Sequence, residues 1–356
     1  MRNRYRSVVI GAFALGLGIA ALTRPGCAAP ADEAQNAYKA GDYASAYALS
    51  LALAERGDSE GQVLLARLYM EGHGVTLDIP EGVRWYVRAA ESGNIDAQYA
   101  LGLMARDGAG PIKQDAETAA AWLTVAAEGG HTFAQFELGN LYVEGHGVAA
   151  DLKRAGEWFE KAANQGHVDA AYNMGVLCLT GKGQPKDEAK AAEWFRKAAE
   201  GGNVDAQYNL GALYMLGLGV DQSSAEAARW LEKAADAGLP EAQFELGMSA
   251  YYGDGVERDL ERAARLFRRA AEKGHPEAQG AISIMYAHGQ GLPKDALEAL
   301  AWANVAEANG YSAQPLAELK KALTDQLSPD QLAEADRRAD QRLSRGGALT
   351  TKPPGE

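Results

Sequence analysis

A glycine-x-glycine triplet returns along this chain at an almost constant interval, and that interval limits the fold more than any single motif. The leading glycines are Gly72, Gly108, Gly145, Gly181, Gly217, Gly253 and Gly289, separated by 36 residues except for one step of 37. Trp85, Trp122, Trp158, Trp194, Trp230 and Trp302 keep the same ruler, with Leu266 in the remaining slot, and these are all six tryptophans of the protein. A third series, Gly93, Gly130, Gly166, Gly202, Gly238, Gly274 and Gly310, closes each unit. A period of this size is the signature of a repeat architecture, in which each unit buries its apolar face on its neighbours. The extra residue of the second unit falls between Gly110 and Asp115, in a loop, where an insertion costs least.

Each unit reads as two short helices. In the third unit Phe133, Phe136, Leu138 and Leu141 recur at helical rather than alternating spacing. The triplet Gly145-His146-Gly147 follows, and Asp151 then supplies an N-cap for a second helix. Asp78, Asp115, Asp187, Asp259 and Asp295 recur at this place, and Ser223 with Glu226 forms a capping box in the fifth unit. Trp158 and Ala162, four residues apart, share one face of that second helix, and Gly166 supplies the left-handed residue that ends it. The alanines at Ala89, Ala126, Ala162, Ala198, Ala234, Ala270 and Ala306 allow the next helix to approach closely. Glycines are expected in the triplet because a reversal this short needs positive φ. The residue between them is His73, Ala109, His146, Lys182, Leu218, Asp254 or Gln290, a variation that suits an exposed turn and not a ligand group.

The patterns G-x-G-V, A-x-x-W-[FYL]-x-x-A-A-x-x-G and A-Q-[FY]-x-L-G together resemble Sel1-like repeats, relatives of the tetratricopeptide repeat, over about residues 58–310. The resemblance implies an all-α fold, a right-handed superhelical solenoid of antiparallel helix pairs with a concave groove. It also implies protein–protein interaction rather than enzymatic activity. Gly280 in place of the aromatic, Ala171 in place of the glutamine and Leu266 in place of tryptophan depart from the pattern. Residues 32–57 resemble a tetratricopeptide-type capping hairpin with a shorter turn at Gly41-Asp42. At the other end, residues 311–344 are expected to form capping helices, from the stripe Leu316, Leu319, Leu323, Leu327 and the start signal Ser328-Pro329-Asp330-Gln331. Residues 345–356 are expected to form a disordered tail.

Residues 1–31 have the order of a secretory signal peptide: Arg2, Arg4 and Arg6, an apolar stretch from Ser7 to Leu22, then small residues ending in Ala29-Pro30-Ala31. Cleavage is expected before Asp32, giving an exported, periplasmic protein; a retained inner-membrane anchor is the alternative. Arg24 and Pro25 argue against lipid attachment at Cys27. Cleavage removes four arginines and no acidic residue, so the formal charge of −13 becomes −17. Such a charge is unsuited to nucleic acid or anionic lipid, and no run of 18 or more apolar residues offers stable membrane insertion. Only Cys178 then remains, so packing rather than disulfides must hold the fold.

Catalytic patterns are not found. The sequence has no H-E-x-x-H, no G-x-S-x-G and no serine followed three places later by lysine. "GVLCLTGKG" has one residue too many for a phosphate loop, and Gly183 stands where Ser or Thr would bind magnesium. His131, His167 and His275 occupy equivalent places in their units, and such places lie about 10 Å apart between neighbours, too far to share a metal. No catalytic residue, metal site or cofactor is therefore expected. Cys178 replaces a tyrosine of its helix (compare Tyr142, Tyr214 and Tyr286) and reads as a buried structural thiol.

If repeated positions build the scaffold, function belongs where the units differ on a common exposed face. Along each first helix, the residue after the aromatic, the one three later and the one seven later share a stripe. The partner-binding candidates taken from that stripe and its border are Glu137, Asn140, Glu144, Asn173, Asn209, Met215, Glu245, Met248, Tyr251 and Tyr252. Asn173 and Asn209 are expected to hold the backbone of a partner segment. Met215, Met248, Tyr251 and Tyr252 are expected to grip its side chains, and Glu137 and Glu144 to favour a basic portion. By analogy with exported members of the family, the partner would be an envelope regulator or membrane sensor in a signalling or exopolysaccharide system. The alternative is a β-lactam-binding or hydrolysing, or cell-wall-binding, relative, although the β-lactam-linked members carry a disulfide in each repeat and this chain does not.

Overall fold

The computed structural model describes residues 30–350, with side chains as far as 344. The expected leader lies almost wholly outside the described residues, as does the end of the expected tail. Eighteen helices run in chain order among the described residues. α1 (Pro30–Lys39) and α2 (Tyr43–Glu55) form a hairpin. Seven pairs follow: α3 (Ser59–Glu71) with α4 (Ile79–Glu91), α5 (Ile95–Asp107) with α6 (Ala116–Glu128), α7 (Thr132–Glu144) with α8 (Leu152–Asn164), and α9 (Val168–Thr180) with α10 (Glu188–Glu200). Then come α11 (Val204–Leu216) with α12 (Ser224–Asp236), α13 (Pro240–Tyr252) with α14 (Leu260–Glu272), and α15 (Pro276–His288) with α16 (Ala296–Ala308). α17 (Gln314–Gln326) and α18 (Pro329–Thr350) close the series. α18 carries helix through residues 345–350, which were expected to belong to the disordered tail. Propagating an existing helix costs far less than nucleating one, and no proline intervenes before Pro353.

The chain divides into two compact units. The first runs to Leu101 and takes in Ala109–Lys113; the second comprises Gly102–Gly108 and everything from Gln114 onward. The only β-type pairing among the described residues is an isolated bridge, Ala109 to Ile112, inside the loop that carries the extra residue.

In both units the second helix of each pair starts where the acidic residue was expected. Asp151 accepts the N–H groups of Lys153 and Arg154, Asp187 that of Lys190, and Ser223 that of Glu226. First helices end on a left-handed glycine such as Gly145, φ 74°. The two glycines of the triplet have different jobs. A Cβ on Gly145 would meet nothing closer than 3.3 Å, so its requirement is the positive φ. A Cβ on Gly147 would lie 1.9 Å from the carbonyl oxygen of Ala116, in the preceding repeat, so this glycine also permits backbone contact between repeats.

The core is built from the same register. Phe159, Phe195, Leu231 and Phe267 are fully buried, each against a first-helix glycine: Gly139, Gly175, Gly211 and Gly247 respectively. A Cβ on Gly175 would sit 2.6 Å from the Phe195 ring, which explains why the first-helix pattern ends in glycine. The buried glutamine of that pattern spans the gap to the preceding helix. Gln135, Gln207 and Gln243 each donate from Nε2 to a carbonyl near a helix C-terminus, those of Ala127, Ala199 and Ala235, at 3.1, 3.2 and 3.0 Å, adding a side-chain donor to the backbone N–H that each already receives.

Candidate docking face

The first helices of the second unit carry the stripe that the sequence singled out. Leu138, Gly139 and Leu141 turn inward on α7, whereas Glu137 and Asn140 remain partly exposed and Glu144 exposed. Asn173, Asn209 and Glu245 repeat the Glu137 position on α9, α11 and α13, and all three are partly exposed. Met215, Met248 and Tyr251 are also partly exposed, while packing against the hydrophobic clusters beneath them. Tyr252 is 67% exposed.

The acidic end of the stripe is less open than its sequence suggests. Arg106 of α5 donates from Nη1 to Glu137 at 2.8 Å and from Nε to Asp107 at 2.8 Å. These carboxylates hold the guanidinium firmly in its charged form, above its already high ordinary pKa. Glu137 is thus neutralised from within, and of the two glutamates expected to attract a basic partner only Glu144 is exposed. Glu144 lies 2.9 Å from Nδ1 of His146. Arg106, Gln114, Asn140, Glu144 and His146 line a hollow of about 330 Å³ beside this pair. Further along, the phenol of Tyr172 is pushed above its ordinary pKa mainly by burial and then by the charge of Asp205, with Asn209 opposing the shift.

At the far end the face becomes apolar. Leu216, at the same position of α11 as Tyr252 on α13, is 66% exposed. These are the two most exposed large apolar side chains described. Leu216 belonged to the stripe in the sequence but was not singled out, because a lone leucine at a helix end carries no chemical signal of its own. Tyr251 is held in place: its hydroxyl donates to Oε1 of Gln290 at 3.0 Å, and its ring meets Tyr252 edge-on at 5.0 Å.

A larger cavity, about 930 Å³, opens where α18 crosses α16. Glu298 accepts from Arg338 at 2.5 Å and from Arg342 at 2.6 Å, and the Arg342 guanidinium lies 4.3 Å from the Trp302 ring centroid. These contacts brace the last helix. Nothing in the spacing of the C-terminal arginines announced them, because their partner is 40 or more residues away.

The histidines that sequence reasoning weighed as metal ligands turn out to be helix caps. His131, His167 and His275 each accept a backbone N–H through Nδ1, from Ala134, Ala170 and Ala278 at 3.0, 3.2 and 3.3 Å. Asn94 and Asn203 do the same from their side-chain oxygens, which is the signal that could have revealed the role. Among the described residues no group of three or more His, Cys, Asp or Glu side chains is placed to hold a metal. Of the triplet histidines, His146 is exposed as expected, but His73 stacks on Tyr43 with ring centroids 4.1 Å apart. Cys178 is buried and accepts from Nε2 of Gln184 at 3.0 Å, and burial pushes its thiol pKa up. Among the described residues no helix is long and apolar enough to cross a membrane.

Tandem two-helix units with a shared core and one variable face define an α-solenoid. The chain belongs to the Sel1 repeat family: the family model matches seven times, over residues 59–94, 95–131, 132–167, 168–203, 204–239, 240–275 and 276–311. Members of this family generally serve as protein–protein interaction scaffolds. The chain is similar to a protective antigen with an SLR fold from uropathogenic Escherichia coli strains, at 28% identity over 92% of this chain and 80% of that one, TM-score 0.60. It is also similar to a Sel1 repeat protein from Oxalobacter formigenes, at 28% identity over 88% of this chain and 99% of that one, TM-score 0.58. Comparison with the curated proteins finds no match.

Proposed function

We propose that this protein is a non-catalytic docking scaffold of the bacterial envelope, which holds a segment of another polypeptide against the first-helix face of its second unit. Export of the chain, with its leader removed before Asp32, belongs to the same reading. The observation that carries it is the placement of Leu216 and Tyr252. Leaving two large apolar side chains two-thirds exposed at the same position in the first helices of successive repeats is unfavourable for a free surface and favourable for an occupied one. Asn173 and Asn209 would hold the partner backbone, Tyr251 would offer a fixed ring to its side chains, and Met215 and Met248 would shape themselves to them; methionine suits that task because its unbranched thioether adapts. An envelope regulator or membrane sensor fits as partner.

Site-specific photocrosslinking in cells tests the location. A crosslinker at Asn209 or Tyr252 should yield one discrete adduct, whereas one at the exposed Glu160 of α8 should not. Equal labelling from both sites would reject this face. Turnover of a chromogenic β-lactam by the purified protein would replace the scaffold reading with a catalytic one.

A further inference from the structure

Glu137 and Glu245 occupy the same position in the third and sixth repeats, yet only Glu137 has a counter-ion. Arg106, the twelfth residue of the preceding repeat, reaches Glu137 at 2.8 Å. The twelfth residue of the repeat preceding Glu245 is Met215. A thioether has no proton to donate, so nothing within the fold replaces the arginine. Glu245 is left half-buried with no hydrogen bond or ion pair among the described residues. Burial raises its carboxyl pKa and no neighbouring charge relieves the shift. Tyr208, whose phenol feels the charge of Glu245, brings no positive charge either. A desolvated carboxylate without a donor is unfavourable by itself and becomes favourable when a cation arrives.

We propose that Glu245 receives an arginine or lysine side chain of the docked polypeptide, with Leu216 and Tyr252 holding apolar residues beside it. This rests on the docking face described above and names the chemistry of its occupant. The Arg106–Glu137 pair is the internal version of the same contact, with the cation supplied by the chain itself. Seven helical residues separate Glu245 from Tyr252, a rise of about 10 Å. The partner should therefore carry a basic residue and a large apolar one about three positions apart if extended, or about seven apart if helical.

Panning a phage-displayed library of random twelve-residue peptides on the full chain tests this. Selected peptides should share that basic-apolar spacing. Glu245→Gln, which keeps the shape and removes the charge, should weaken their binding by about tenfold or more. Met215→Arg, which places a guanidinium where Arg106 stands in the earlier repeat, should weaken it similarly without lowering thermal stability. Binders that lose affinity with Leu216→Ala or Tyr252→Ala, yet lack a basic residue and ignore Glu245→Gln, would overturn the inference and leave the docking face standing. Binders indifferent to all four changes, or no binders at all, would remove the docking face as well.

Discussion

The imidazole of His167 lies stacked on the ring of Phe136, centroids 4.3 Å apart and planes 19° from parallel, while its Nδ1 caps α9. His275 repeats the arrangement on Phe244 at 4.8 Å. One side chain therefore joins the first helix of its own repeat to the start of the next repeat's first helix, and it caps that start only when Nδ1 is unprotonated, since a protonated nitrogen cannot accept.

This makes stability pH-dependent. Burial lowers the pKa of both histidines, opposed by Asp169 for His167 and by Glu277 and Glu241 for His275. The folded pKa lies below the unfolded value of about 6.5, so the unfolded chain takes up protons first. The stabilisation is fully present above about pH 6.5 and is lost as pH falls through the folded pKa values. The urea midpoint should accordingly drop between neutral and mildly acidic pH. His167→Asn with His275→Asn should flatten that drop, because Asn203 caps the equivalent helix without titrating near neutrality.

The second triplet glycine should be less replaceable than the glycine that closes a unit. Gly147→Ala meets both a positive φ and the Ala116 carbonyl, so a loss of about 3 kcal/mol is expected. Gly130→Ala has a positive φ but nothing within 4 Å, and should cost only about 1 kcal/mol. Denaturant titrations of the two variants would show the ordering, and equal losses would mean that repeats do not depend on this close approach.

Close packing of the second helices predicts intolerance at Ala198, which has no exposed surface. Ala198→Leu should destabilise by about 1–3 kcal/mol through overpacking. A thermal melt followed by circular dichroism that shows no loss would count against the role given to the alanine series.

The brace on α18 can be released selectively. Glu298→Ala removes the shared acceptor of Arg338 and Arg342 and should cost about 1–3 kcal/mol, since both guanidinium groups lose a charged partner. Hydrogen exchange should speed up along α18 while α7 to α13 keep their protection. Unchanged exchange on α18 would show that apolar contacts alone hold it.

Much of the architecture was readable from the chain. The 36-residue period, the aspartate caps and the closing glycines are local signals, acting within a helical turn or a tight loop, so their meaning survives without coordinates. The stripe from Glu137 to Tyr252 was likewise legible as a partly exposed face, because helical geometry sets which positions point together. What it missed was partnership. The histidine caps were not foreseen because their role depends on a backbone N–H three residues on and, for His167 and His275, on the rings of Phe136 and Phe244 at the far end of the same repeat.

Sequence by itself determined the repeating helix pair, its length and its capping chemistry, since these follow from backbone sterics and near-neighbour hydrogen bonds. Only the tertiary structure decided which charges are already spoken for: that Arg106 neutralises Glu137, that Met215 leaves Glu245 bare, and that Glu298 ties down α18. Those contacts join residues about one repeat apart, and register brings their backbones near without fixing where long side chains reach. Their geometry is settled by packing.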